Sequence, residues 1–151
     1  MSAEAAPEPP GEGGTRAAVM AGGALGTAGR WLLGLALPAA GPGWGWATLA
    51  VNLSGALAMG ILVAWLATRT SSPLLRPFAA VGLLGGWTTY STFALDVHAI
   101  AGGGSALAAV GYVLATLLLG VGAALAGLLL GERWFIVSPS LADQYADEEE
   151  L

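Results

Sequence analysis

Three sets of polar residues interrupt long apolar stretches of this sequence, and each could handle a small anion. Arg30 stands within the apolar residues 18–38. An Arg at the centre of a membrane helix costs about 2.5–3.5 kcal/mol on insertion scales. Two readings meet that cost. Either Arg30 lies off-centre and reaches the interface along its aliphatic stem, or it faces an aqueous vestibule and draws anions in. Asn52 stands in WATLAVNLSGALAMG, residues 46–60. An amide left without partners in hydrocarbon is expensive. Asn52 therefore either bonds to a neighbouring helix or turns its NH₂ toward a permeating anion. Ser54, two residues on, can return its hydroxyl to its own backbone.

The third set is GLLGGWTTYSTFALD, residues 82–96, with Gly85, Gly86, Thr88, Thr89, Tyr90, Ser91, Thr92 and Phe93 in one run. Paired Gly followed by β-branched polar residues is poor helix sequence. A local break there frees backbone carbonyls, and non-helical backbone at membrane depth survives only inside protein or beside water. Tyr90 and Phe93, three residues apart, share a helix face. The edge of an aromatic ring carries partial positive charge, so this pair can touch an anion. The alternative is a tight, hydroxyl-rich helix-packing site.

Other chemistries are excluded. Cys is absent, which removes disulfides, thiolate metal sites and a Cys nucleophile. The single His, His98, cannot build a zinc site alone. Asp96 and His98 are the only candidate acid–base pair, and residues two apart on a helix do not face each other. Lys is absent, Arg numbers five and the net charge is −5, so no basic stripe exists for nucleic acid. GGALGTAG, residues 22–29, lacks the spacing and the following Lys of a phosphate loop.

The elements that must hold these residues are membrane helices. Charged residues make up 10% of the 151, against roughly 25% in a soluble domain. The composition is 56% hydrophobic, too much for a globule in water to cover. Four spans are expected, over residues 18–38, 46–68, 78–101 and 106–131, the third broken near its middle. A helix needs about 20 apolar residues to cross a bilayer. Trp44, Trp46, Trp65 and Trp134 fall at span ends, where indoles favour the interface. Residues 1–17, rich in Pro, Gly and Glu, read as a disordered tail. They have no basic stretch leading into an apolar run, so they do not read as a signal peptide. Residues 132–151 read as a solvated acidic tail. Arg16, Arg69, Arg76 and Arg133 all fall on one side of a four-span layout, which predicts cytoplasmic termini in the inner (plasma) membrane. Gly22/Gly26, Gly82/Gly86 and Gly127/Gly131 have the spacing that lets helices approach closely. Four short spans enclose little interior, so self-association is expected.

These motifs together resemble a known family. GGALGTAGRW, residues 22–31, is similar to the opening of the Fluc/CrcB fluoride channels. WATLAVNLSGALAMG looks like their Asn-bearing second segment. GLLGGWTTYSTFALD resembles their G-G-x-T-T-F-S-T-F signature, and Tyr112 matches a family Tyr. The resemblance covers residues 22–131 in the right order.

The resemblance implies an all-α membrane protein working as an antiparallel dimer with two narrow fluoride pathways. By match, Asn52 is the pore amide, Tyr90 and Phe93 the ring-edge pair, and Ser91 and Thr92 hydroxyl donors along the track. Tyr112 and Asp96 also match pathway positions, and Arg30 sits at the vestibule. The backbone carbonyls of Gly85 and Thr88 hold a structural Na⁺ on the dimer axis, two from each chain. The implied activity is passive fluoride efflux, and so fluoride resistance. The chain departs from the pattern at Tyr90, where Phe is usual, at Asp96, which replaces Glu, and at Trp31, which replaces Tyr. Its strong Arg bias also departs from a protein that inserts both ways up. The partner is then a second copy of this chain or a sister chain of opposite orientation. The competing classes are a small four-span multidrug-type antiparallel exporter, which needs an acid in the first span, and a non-conducting membrane subunit.

Overall fold

The computed structural model describes residues 11–37, 43–68 and 72–135. Among them all regular structure is helical. Helix α1 runs Glu12–Ala36. It begins ahead of the expected span, so Glu12 to Ala17 are helix and not tail. Glu12 sits in the first turn, where the helix dipole favours an acid, and it pairs with Arg16 at 2.7 Å one turn on. Leu37 then turns extended, at φ −95° and ψ 128°, as the residue before Pro38 is driven to do.

Helix α2, Trp46–Ala67, follows, with Gly45 as its N-cap. The third span opens on a wide-wound π segment, Pro77–Leu84, with Pro in its first turn. It continues as α3, Gly85–Trp87, and α4, Tyr90–Gly102. Between them Thr88 and Thr89 are extended, with ψ 158° and 124°. β-Branched Thr accepts that conformation readily. The span as a whole bends by only 19°, so its course is nearly continuous while its hydrogen-bond ladder is interrupted. Helix α5 is Ala106–Phe135. It takes in Glu132 and Arg133, read above as tail, and Arg133 in its last turn suits the dipole there. The rest of both tails, Arg69 and the loop around Gly41 lie outside the described residues.

Helices pair in an interleaved order. α1 packs on the π segment and α3, while α2 packs on α5. Both contacts depend on absent side chains. A Cβ on Gly22 would strike the Phe78 carbonyl, and one on Gly26 the Leu83 carbonyl. From the other side, Gly82 and Gly86 lie against the Val19 and Gly23 carbonyls, at 2.7 and 2.6 Å from where a Cβ would stand. Gly60, Gly127 and Gly131 let α2 and α5 meet in the same way. The two pairs touch each other far less, except where α4 meets α5.

The buried core is small: Leu49, Ile100, Ala109 and Tyr112, with Trp44, Leu53, Phe93 and Val97 against it. Val51, Ala64 and Leu66 are buried apart from it, and many large apolar residues face outward. Leu107 is 85% exposed and Leu118 71%. By length and composition, α2 and α5 can each cross a membrane. An apolar exterior on this scale requires lipid or another chain to cover it.

Candidate functional site

The interruption at Thr88 and Thr89 is held by one side chain from α2. Asn52 Nδ2 donates to the Thr89 carbonyl at 3.0 Å, and the Thr89 N–H donates to Asn52 Oδ1 at 2.8 Å. This two-way amide clasp is the interhelical bond that an amide in a span must find. It leaves one Nδ2 hydrogen available. Thr89 then caps α4: its Oγ1 accepts from the Thr92 N–H at 3.2 Å. The same Oγ1 lies 3.3 Å from Ser91 Oγ and 3.1 Å from Thr92 Oγ1. Three hydroxyls thus converge beside one amide.

The clasp has a cost for the ladder. In an unbroken α-helix the Thr89 N–H would serve the Gly85 carbonyl, and the Thr92 N–H the Thr88 carbonyl. Both donors are taken by side chains instead. Gly85 and Thr88, the carbonyls implied for a cation, are therefore without their helical partners. Gly85 is exposed, with open space where a Cβ would stand.

Below the hydroxyls runs a line of rings. Tyr90 and Phe93 have centroids 6.0 Å apart, tilted by 48°. Phe93 and Tyr112 follow at 5.6 Å, and Tyr112 and Trp44 at 5.6 Å. These tilted arrangements present ring edges and not only faces. Tyr90 is 80% exposed and Tyr112 fully buried, so the line leads inward. The Tyr112 hydroxyl is 3.2 Å from both the Gly45 carbonyl and Asp96 Oδ2, its one proton shared between them. Asp96 is thereby turned inward against Gly45. His98 is exposed, and no pair with Asp96 forms.

Arg30 lines a cleft of about 460 Å³ with Thr27, Trp31, Thr48, Thr89 and Thr92. The clasp end of the track and the cation therefore share one cavity. Its walls are mostly apolar, so a charge there is weakly screened.

Some participants had no role of their own assigned from sequence. Thr89 is the hub, because it serves Asn52 with its backbone and Thr92 with its side chain. Thr48 is buried on the cleft wall. Thr116, one turn beyond Tyr112 on α5, has a buried hydroxyl with no partner. Its spacing from Tyr112 was the available signal. Trp87 donates to Ser54 Oγ at 2.9 Å, while Ser54 also returns its hydroxyl to Val51. Trp44 was read as an interface residue, but it packs on Tyr112 in the core. Trp46 and Trp134 are exposed.

The described residues, all helical in their regular structure and with a lipid-suited exterior, are those of a membrane protein. Residues 17–128 match the family described as CrcB-like protein, Camphor Resistance (CrcB). A fluoride-specific ion channel of Paracoccus denitrificans is 44% identical over 117 residues, covering 78% of this chain and 94% of its own length. One from Rhodospirillum centenum is 46% identical, covering 75% of this chain and 91% of its own length. A second such channel from Nocardia farcinica is 42% identical, with shares of 78% and 84%. This chain belongs to the CrcB-like family. Each of those relatives bears an ion-channel name, in line with the expectation that the chain is no enzyme.

Proposed function

We propose that this protein is a fluoride-selective channel that passes fluoride passively out of the cell and so confers fluoride resistance. The observation that supports the reading is that the Arg30 cleft, the Asn52 amide, the Thr89, Ser91 and Thr92 hydroxyls and the Phe93 and Tyr112 rings lie in succession. Fluoride is small and strongly hydrated. A selective path must replace its water with donors, yet not hold it so tightly that it cannot leave. One free amide hydrogen, hydroxyls and ring edges are donors of moderate strength. A ring of cations would hold the ion too well. Arg30 raises the local fluoride concentration at the mouth without standing in the narrow part. Efflux runs downhill because the neutral acid enters and dissociates inside.

The working unit in this reading is an antiparallel dimer. The exposed Gly85 and the apolar exterior support a second chain against this face. Where two such chains cross, the Gly85 and Thr88 carbonyls of each would hold a Na⁺. Carbonyl oxygens with no N–H partner suit a hard monovalent cation, and a bound cation there adds positive field for the anions nearby. The Arg distribution supports cytoplasmic termini in the plasma membrane, and the partner of opposite orientation is a second copy of this chain or a sister chain.

The exporter reading lacks its proton carrier. Glu12 does fall in α1, but it is exposed at the first turn and paired with Arg16.

The test is efflux from liposomes holding only the purified chain, with chloride as the control. Rapid fluoride release without chloride release is expected. Release of both ions at similar rates, or of neither even with a sister chain present, refutes the channel reading. Single cysteines at Ser2 and Ser105, probed from each side, report orientation. Labelling of each site from one side only supports the sister chain.

A further inference from the structure

We propose that Asn52 is a positioning residue for the cation cage as well as a donor on the anion track. The inference rests on the Na⁺ reading above. A carbonyl relieved of its helical N–H has both lone pairs free for a cation. The Thr89 N–H is the natural partner of the Gly85 carbonyl in a continuous helix. Thr89 is 8% exposed, so its N–H has little access to bulk water. A buried N–H must find an acceptor. Asn52 Oδ1 supplies one at 2.8 Å, and the return bond from Nδ2 to the Thr89 carbonyl fixes the peptide on both sides. Without Oδ1, the nearest remedy is for residues 88 and 89 to wind back into helix. The Thr89 N–H then takes the Gly85 carbonyl out of the cage. One amide thus serves two ions: its oxygen keeps a carbonyl vacant for the cation, and its remaining N–H faces the anion. Cage and track are coupled through a single side chain.

The experiment measures thermal unfolding of the full chain in detergent, across a titration of NaCl against N-methylglucamine chloride at constant ionic strength. Wild type, Asn52→Ala and Asn52→Asp are compared. Wild type is expected to melt higher in Na⁺. Asn52→Ala should raise the half-effective Na⁺ concentration at least about tenfold, the equivalent of one lost hydrogen bond. Asn52→Asp keeps an oxygen for the Thr89 N–H, so its midpoint should stay within about threefold of wild type. A wild-type Na⁺ response in Asn52→Ala overturns the proposal, as does loss of the response in Asn52→Asp. If Asn52→Ala does not fold, Asn52→Leu, closer in volume and likewise without an acceptor, decides by the same criterion. If wild type itself shows no Na⁺ response, the cage fails and this inference with it. Chloride leak with an intact Na⁺ response instead strikes the fluoride reading and leaves the cage standing.

Discussion

Replacing Tyr112 by Phe removes one oxygen and nothing else. The ring is fully buried and keeps its contacts with Phe93 and Trp44, so no cavity opens. What disappears is the proton shared by the Gly45 carbonyl and Asp96 Oδ2, each at 3.2 Å. Such bonds are long and share one donor, which places them at the weaker end of their class. A hydrogen bond to a charged acceptor contributes about 1.5–3 kcal/mol, and to a neutral carbonyl about 0.5–1.5 kcal/mol. We expect Tyr112→Phe to lower stability by about 1–3 kcal/mol, read as a lower melting temperature in detergent. Asp96, no longer tethered, gains freedom to swing toward the ring line, so fluoride efflux should slow while chloride stays excluded. The cycle with Asp96→Ala, which leaves no acceptor, isolates the pair. Adding the two single losses should overestimate the double mutant's loss by about 1 kcal/mol or more. Additive losses would show that the contact contributes nothing, and a Tyr112→Phe protein with wild-type melting and flux would refute the tether.

Three further outcomes follow from the same geometry. Gly26→Ala places a methyl against the Leu83 carbonyl and 2.8 Å from the Trp87 nitrogen. It should force α1 off the third span and destabilise by about 1–3 kcal/mol, typical of overpacking, whereas Gly34→Ala, with nothing within 4 Å, should melt as wild type. Arg30→Gln removes the cleft's cation. Fluoride flux should fall, and what remains should depend less on ionic strength, as measured by efflux over a salt series. Tyr90→Phe restores the ring usual in the family. Because Tyr90 is 80% exposed, melting should change by less than about 0.5 kcal/mol, while the fluoride rate shifts and selectivity against chloride persists in the liposome assay.

Sequence reasoning reached the class of protein because 10% charged residues leave few alternatives. It located the glycine faces from their spacing, since that spacing is a property of one helix. It did not say which helix each face meets, because a partner's identity is a property of the packed chain. The interruption was expected within residues 82–96 because Gly-Gly and Thr-Thr are poor helix formers. Its small effect on the span's course was not foreseen. There Asn52, 37 residues from Thr89 in sequence, takes the Thr89 N–H in place of the Gly85 carbonyl and bonds back to the Thr89 carbonyl. The helix ends were misjudged for a different reason. Residues 12–17 and 132–135 are polar enough to read as tail, yet local pairing and the helix dipole suffice to keep them wound.

The interleaved pairing also bears on how the chain is made. α1 has its glycine face matched to residues 78–86, and α2 meets the Gly127/Gly131 face of α5 through Gly60. The first two helices are thus not each other's main partners in the fold. As the polypeptide leaves the ribosome, α1 and α2 enter the bilayer with their contact faces open to lipid. The first is covered only after the third span is synthesised, and the second only after the last. Little tertiary structure can form from the first half alone. A chain truncated between α2 and the π segment is therefore left with two helices in the membrane whose partners are missing, a ready target for quality control.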